Sequence, residues 1–221
     1  MYVVIGNGDW DSQWGRTFLS GPNVRKVICA DGGANAALAS GRIPDVLIGD
    51  LDSITPQTLR ACREAGVEIL LYPAEKDEVD LELTLTWAHQ AAGDEEIVLL
   101  GAGGGRIDHL LGTIGLLIKF AEQGRRIRMI DSRSEAWVVL PGREDCAVWR
   151  GRTLSILPLS RTATIQAGGM KYPLDPLTLY RDTPRGLSNV VEGDGWIEVR
   201  DGIVLVVVNT KKDTCTVSPS N

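Results

Sequence analysis

The sequence predicts an α/β protein in two parts: an N-terminal domain on a mostly parallel sheet with flanking helices, then a smaller C-terminal all-β domain, a sandwich or barrel. Three observations predict it. Apolar runs and helix-like stretches alternate through the first two-thirds of the chain, the pattern of strands joined by crossover helices. Near residue 131 the texture changes to short β-type runs broken by Pro and Gly. No convincing helix follows Gln123.

The strand candidates of the first part are Tyr2–Ile5, Lys26–Ala30, Val46–Ile48, Val67–Leu71, Ile97–Leu100 and Ile127–Ile130, largely apolar runs of the kind that parallel sheets bury on both faces. Between them, Ala34–Ser40 is short, Ala-rich and ends at Gly41. Thr55–Ala65 opens on a Thr-Pro cap signal and stops at Gly66. Leu81–Ala92 has apolar residues at helical spacing and stops at Gly93, and His109–Glu122 is an apolar helix stopping at Gly124. These alternations predict a Rossmann-like three-layer arrangement. In the second part, Ala136–Leu140, Thr153–Leu157, Trp196–Arg200 and Ile203–Val208 read as strands, punctuated by Pro141-Gly142, Gly168-Gly169, Pro173, Pro176 and Gly193–Gly195. The expected domains are 1–135 and 136–221, with the boundary inside Asp131–Arg143. The polar tail Lys211–Asn221 is expected to fray.

Composition narrows the function. A chain of 221 residues, 43% apolar and 24% charged, can bury a core without a disulfide or metal staple. Lys+Arg 23 against Asp+Glu 29 gives a net charge of −6, which leaves no basic surplus for nucleic acid. Cys29, Cys62, Cys146 and Cys215 are far apart with no C-x-x-C pair, which fits reduced thiols in a cytosolic protein better than a zinc site or disulfide scaffold. No apolar run approaches the ~20 residues of a membrane helix. Met1–Ile5 reads directly as a first strand. The expectation is a cytoplasmic protein with neither a membrane nor a nucleic-acid partner.

In an open parallel sheet, ligands bind beyond the carboxyl ends of the strands. Four successive strand ends here are followed by acidic or glycine-rich turns: Asp31-Gly32-Gly33-Ala34-Asn35, Gly49-Asp50-Leu51-Asp52-Ser53, Lys76-Asp77-Glu78-Val79-Asp80, and Gly101-Ala102-Gly103-Gly104-Gly105-Arg106-Ile107-Asp108-His109. A single aspartate after a strand is commonly a helix cap. Six at four strand ends would repel one another unless a hard cation sat among them, so Asp31, Asp50, Asp52, Asp77, Asp80 and Asp108 read as a metal–phosphate site. The backbone N–H groups of Gly32, Gly33, Gly104 and Gly105 suit phosphate oxygens. Arg106 could clamp a phosphate bidentately, with a surface ion pair as the plain alternative, and Lys76 could add a second cation. His109 lies in the same loop, whereas His89 reads as a packed or solvated side chain. No P-loop, complete G-x-G-x-x-G, Gly-x-Ser-x-Gly or Ser/His/Asp triad is legible.

These segments, in this order, resemble the thiamine pyrophosphokinases. The resemblance lies in Ala30–Asn35, Gly49–Ser53, Lys76–Glu82, Gly101–His109, Gly169–Leu174 and Arg185–Asn189. Thr113 stands where an Asn is frequent, and Leu187 where a smaller or polar residue is usual. The resemblance implies transfer from ATP to thiamine with Mg²⁺, giving AMP and thiamine diphosphate. It also implies an α/β catalytic domain, a β domain that binds thiamine and dimerises, and a homodimer with active sites between subunits. Carried over by position, Asp31, Gly32, Gly33, Asn35, Lys76, Asp77, Gly104, Gly105 and His109 are expected to bind the nucleotide. Ser188 and Asn189 are expected on the thiamine side. Asp50, Asp52, Asp80, Asp108 and Arg106 are the catalytic candidates, and Asp50, Asp52, Asp77 and Asp80 the candidate Mg²⁺ ligands. Asp80 or Asp52 is the candidate acceptor of the thiamine hydroxyl proton. Of Trp137, Trp149 and Trp196, one could stack on thiamine, core packing being the simpler reading. Two rival readings are a Mg²⁺-dependent phosphatase with Asp50 as nucleophile, and a non-catalytic thiamine- or nucleotide-sensing module.

Overall fold

The structure, a computed structural model, describes residues 1–209. The expected fraying at Lys211–Asn221, and Cys215, lie outside the described residues. The chain divides into two units, Met1–Ser132 and a second that begins at Arg133.

In the first unit β1 (Tyr2–Ile5), β2 (Lys26–Ala30), β3 (Val46–Gly49), β4 (Glu68–Leu71), β5 (Ile97–Leu100) and β6 (Ile127–Ile130) form a parallel sheet in the order β6-β5-β1-β2-β3-β4. Four crossovers are α1 (Ser12–Leu19), α2 (Gly33–Ala39), α3 (Pro56–Glu64) and α4 (Asp80–Ala92), and α5 (Ile107–Glu122) joins β5 to β6. Val3, Ile5, Val27, Cys29, Leu47, Val98 and Leu100 share a core with Leu19, Ala34, Ala37 and Cys62 of the first three helices. Neighbouring strand residues point the opposite way, so Val4, Ile28, Ile48 and Leu99, all buried, need cover on the other face. That side falls to α4, which runs back over β3, β2 and β1 and buries Leu85 and Ala88.

The strand order reverses at β1. The chain steps outward through β2, β3 and β4, then returns to the other side of β1 for β5 and β6. A reversal of this kind opens a crevice at the carboxyl ends of the strands, where ligands of such sheets bind.

In the second unit β7 (Ser134–Val139), β8 (Gly142–Asp145), β9 (Thr153–Pro158), β10 (Thr162–Met170), β11 (Leu174–Tyr180), β12 (Asn189–Asp201) and β13 (Val204–Asn209) pair antiparallel in the order β7-β13-β9-β12-β10-β11, with β8 against Trp196–Val199 of β12. Its core gathers Trp137, Leu154, Ile156, Ile165, Val191, Ile197, Val199 and Val206.

The elements expected from sequence are present, with two kinds of difference. Helix α1 was not anticipated. Gly15 weakens its pattern, yet the Asp11 side chain caps it by accepting from the backbone N–H groups of Gln13 and Trp14 (3.1 and 3.0 Å). Strands β8, β10 and β11 and the first half of β12 were also not anticipated. Gly168-Gly169 and Gly193–Gly195 read as breaks, but the β10–β12 pairing absorbs the first pair through a register shift. Pro176 is tolerated because β11 is an edge strand.

Candidate functional site

The carboxyl ends of β2 and β3 and the first residue of α4 bring Asp31, Asp50 and Asp80 together, with one carboxylate oxygen of each within 4.8 Å of the others. Register makes this inevitable for the first two: Ala30 pairs with Ile48, and the Asp31 N–H donates to the Ile48 carbonyl at 2.8 Å. Asp80 arrives because α4 crosses back over these strands and starts above their ends. A carboxylate in the first turn of α4 is also favoured by the helix dipole. Gly49, at φ 148°, lies between them; a Cβ there would sit 3.0 Å from the Asp31 Cβ and 3.1 Å from the Asp80 Cγ.

Asp31 is 5% exposed and occupies the left-handed region at φ 42°. Its Oδ2 accepts the Ser53 N–H at 3.2 Å, while its buried Oδ1 has no hydrogen-bond partner. Burial pushes its carboxyl above the usual range, against the lowering effect of the Ser53 and Gly32 hydrogen bonds. Lys76 reaches into the group: its Nζ is 3.0 Å from Asp80 Oδ1 and 3.8 Å from Asp50 Oδ2, and donates to the Pro73 carbonyl at 2.9 Å. Burial pulls the ammonium pKa down, but Asp80, then Asp50 and Asp31, outweigh it and hold it above the ordinary lysine value.

The metal set read from the sequence, Asp50, Asp52, Asp77 and Asp80, is only half gathered. Asp31 stands in the group instead, being one peptide from a strand end, whereas Asp77 is exposed in the loop before α4. Asp52 is also exposed and accepts the Ser53 hydroxyl at 2.7 Å. Its own N–H donates to Asp50 Oδ1 at 3.1 Å, a tight turn with Leu51 at φ 66°. Asn35 braces this loop, donating to the Ser53 carbonyl and accepting the Thr55 N–H, both at 3.0 Å. Gly32 and Gly33 are buried where α2 begins.

Asp108 stands apart from the acidic group. It takes two hydrogen bonds from Arg106 (3.2 and 2.5 Å), in a pair about two-thirds exposed. That contact holds the Asp108 carboxyl down at about 2. Gly104, Gly105 and His109 are exposed beside it.

One segment was missed. After β1 the chain runs Gly6-Asn7-Gly8-Asp9, and this turn is bonded to the glycine loop after β5: Gly6 N–H to Leu100 O at 2.9 Å, Gly8 N–H to Gly101 O at 2.6 Å and Asp9 N–H to Gly103 O at 3.0 Å. The exposed Asp9 carboxylate lies against Gly104, at φ 87°, where any Cβ would strike it. Asp9 therefore faces the loop after β5, and the Asn7 side chain lies against Gly32, after β2. The signal was available: a Gly/Asx run directly after a buried strand, the same rule that found the other four turns.

In the second unit Ser188 is exposed at φ 58°, its N–H donating to Ser155 Oγ at 3.1 Å. Asn189 is buried and hydrogen-bonded through both of its amide heteroatoms. Its Nδ2 donates to the Tyr172 carbonyl (2.6 Å), and its Oδ1 accepts the N–H groups of Tyr172 (3.0 Å) and Val190 (2.9 Å). This amide works as a strand-like clamp on Tyr172. Trp137 and Trp149 stack on each other in the core, and the Arg143 guanidinium covers Trp196 at 4.0 Å, so core packing accounts for the first two.

Two family models match the chain: thiamin pyrophosphokinase, catalytic domain, over residues 22–129, and thiamin pyrophosphokinase, vitamin B1 binding domain, over residues 140–204. A thiamine pyrophosphokinase of Bacillus subtilis is 34% identical over 186 residues, covering 83% of this chain and 86% of the relative. One from Oryza sativa is 28% identical over 76% of this chain and 73% of its own. Among solved structures, the Bacillus subtilis thiamine pyrophosphokinase superposes with a TM-score of 0.83 at 28% identity, over 95% of this chain and 99% of that one. The Geobacillus thermodenitrificans thiamin pyrophosphokinase gives 0.81 at 28% identity, over 96% and 99%.

Two substitutions separate ligand from scaffold. Because burial favours the neutral Asp31 carboxyl, its ionised form is a cost in the metal-free protein at neutral pH, one that shrinks as the pH falls through the raised pKa. Asp31→Asn removes that cost, and Asn tolerates the left-handed backbone. Its metal-free thermal stability is expected to hold or rise by about 1 kcal/mol, with binding of divalent metal lost. Asn189→Ala strips three buried hydrogen bonds and is expected to lose about 2–3 kcal/mol in urea unfolding. A variant altered only in thiamine affinity would return Asn189 to the ligand side.

Proposed function

The chain belongs to the thiamin pyrophosphokinase family, and from that premise we propose how its residues carry the reaction, the transfer of the pyrophosphoryl group of ATP to the hydroxyl of thiamine to give thiamine diphosphate and AMP. The observation that supports it best is the convergence of Asp31, Asp50 and Asp80 beside Lys76 at the ends of a parallel sheet. Neither an Asp50-nucleophile phosphatase nor a non-catalytic sensing module is favoured.

The donor set fits Mg²⁺. Three clustered carboxylates, one with a buried oxygen lacking any partner, are hard ligands that leave positions for water and phosphate oxygens. Asp31, Asp50 and Asp80 would hold the ion, with Asp52 and Asp77 outside it. When bound, Mg²⁺ supplies charge neutralisation at the triphosphate.

The protein's own groups then orient and neutralise. Lys76 offers a cation to the phosphate oxygens. The backbone N–H groups of Gly32, Gly33, Gly104 and Gly105 donate to phosphate oxygens. Arg106, kept in place by Asp108, presents its remaining N–H groups to the same chain of phosphates, and His109 flanks it. In-line attack of the thiamine hydroxyl on the β-phosphorus expels AMP, and the gain comes from positioning and charge stabilisation more than from covalent chemistry. Asp80 is among the three carboxylates assigned to the ion, so Asp52, exposed one residue beyond Leu51, is the better acceptor for the hydroxyl proton.

On this reading the Rossmann-like three-layer half is the ATP- and Mg²⁺-binding domain, and the β half, sandwich-like, binds thiamine and dimerises. Ser188 is the thiamine-side candidate that remains open to solvent. A cytoplasmic homodimer with composite active sites completes the proposal. Support for association through the β half comes from its apolar side chains Val148, Tyr172 and Leu187, 79%, 58% and 46% exposed. No helix among the described residues is long and apolar enough to cross a membrane.

Incubation of the protein with ATP, Mg²⁺ and thiamine is expected to yield AMP and thiamine diphosphate in equal amounts, measured by chromatography. Asp50→Asn should lower kcat by at least about 10²-fold with an unchanged circular dichroism spectrum, the scale of losing a group that stabilises transition-state charge. Normal turnover in that variant, or inorganic phosphate as the product, would refute the assignment. Ser188→Ala should raise KM for thiamine several-fold, roughly one hydrogen bond's worth, and leave KM for ATP alone.

A further inference from the structure

Lys76 occupies an unusual place for a loop lysine. From Leu71 to Val79 every other residue is exposed, Glu75, Asp77 and Glu78 among them, while the Lys76 side chain is 12% exposed. It is drawn inward to Asp80 (3.0 Å) and Asp50 (3.8 Å), and the Pro73 carbonyl fixes its ammonium from behind (2.9 Å). Asp50 and Asp80 are two of the three side chains in the metal-capable group. The third, Asp31, keeps a buried oxygen with no hydrogen-bond partner. One point charge is thus set against three carboxylates, and a residual negative charge is left over.

We propose that Lys76 is a built-in counter-ion which holds the acidic pocket together in the metal-free protein, gives up Asp50 and Asp80 when a divalent cation enters, and turns its charge to the incoming triphosphate. This rests on the reading of Asp31, Asp50 and Asp80 as the metal ligands. Two arguments support it. An ammonium and a divalent ion cannot both sit within about 3–4 Å of the same carboxylate oxygens without strong repulsion, so they compete. A lysine can exchange partners without moving the backbone, since its charge rides on a flexible four-carbon stem. An ordinary exposed ion pair would carry little consequence, but both members of this one are largely withdrawn from water.

Competition predicts opposite signs for two ligands. Free metal must displace Lys76, so removing the lysine tightens its binding. The metal–nucleotide complex gains Lys76, so removing the lysine weakens it. A residue with only a structural role would not move the two affinities in opposite directions.

The test uses full-length protein and Mn²⁺ as the probe, with binding read by electron paramagnetic resonance and calorimetry. Lys76→Gln is expected to bind free Mn²⁺ roughly tenfold more tightly than wild type and Mn²⁺–α,β-methylene ATP several-fold more weakly. Lys76→Arg, which keeps the charge, should stay near wild type on free Mn²⁺. Asp50→Asn is the control for the metal reading. If Asp50→Asn loses Mn²⁺ binding while Lys76→Gln binds it no more tightly than wild type, the counter-ion role alone is overturned. If Asp50→Asn binds Mn²⁺ like wild type, the metal assignment fails and takes the counter-ion with it. A second measurement needs no substitution: acylation of Lys76 by an amine-reactive reagent, read by mass spectrometry on wild-type protein. Labelling should rise when Mn²⁺ is added and fall again with α,β-methylene ATP. Labelling indifferent to Mn²⁺ would overturn the proposal.

Discussion

Mutual repulsion among Asp31, Asp50 and Asp80 is the constraint on which the rest of the site depends. Like charges whose oxygens approach within 4.8 Å are relieved when something positive lies among them or when one of them takes up a proton. The protein meets this condition in two ways at once: Lys76 lies against two of the carboxylates, and the third is left partly protonation-prone by burial. On the proposed reading, a pocket held in this tension takes up a cation, and the oxygens that hold it leave room for phosphate, so affinity for metal and for triphosphate would be one property of one arrangement.

The backbone sustains the arrangement by accepting strain where the carboxylates meet. Asp31 and Leu51 are both non-glycine residues in the left-handed region, a conformation that costs roughly 1–3 kcal/mol each and persists only when the surroundings enforce it. The enforcement is visible. Ile48 accepts from the Asp31 N–H, Ser53 donates to its carboxylate, and Asn35 clamps Ser53 and Thr55 in turn. On the other side of β1, the Gly6–Asp9 turn is laced to the Gly101–Gly103 loop by main-chain bonds, so two loops form one wall. The glycine-rich stretch thereby serves close backbone approach, with Gly104 against the Asp9 side chain.

Arg106 and Asp108 illustrate how one motif divides its labour. The guanidinium spends two N–H groups on Asp108, and the carboxylate, held down at about 2, stays ionised throughout the physiological range. Asp108 is then the partner of Arg106 rather than a member of the cluster of Asp31, Asp50 and Asp80. Asn189 divides from Ser188 in the same way. The asparagine is consumed in bracing Tyr172 and Val190, which leaves its neighbour, lifted out by a positive φ, to face solvent.

By itself the sequence determined the alternation of buried strands and crossover helices, the acidic turns at the strand ends and the family. These depend on local pattern: continuous apolar runs, cap residues, stop glycines, and short motifs in a set order. What lay beyond it had non-local causes. Helix α1 was hidden because one side-chain cap at Asp11 outweighs Gly15. Strands β10 and β11 and the first half of β12 were hidden because register shifts and an edge position made Gly and Pro tolerable inside them. The choice among six aspartates was also out of reach. It turns on the pairing of β2 with β3 and on the return of α4 across the sheet, which carry Asp31, Asp50 and Asp80 to one point and leave Asp52, Asp77 and Asp108 outside. Charge can be read along a chain, but which charges share a pocket is decided by strand order and crossing, because only those set the distances over which Coulomb forces act.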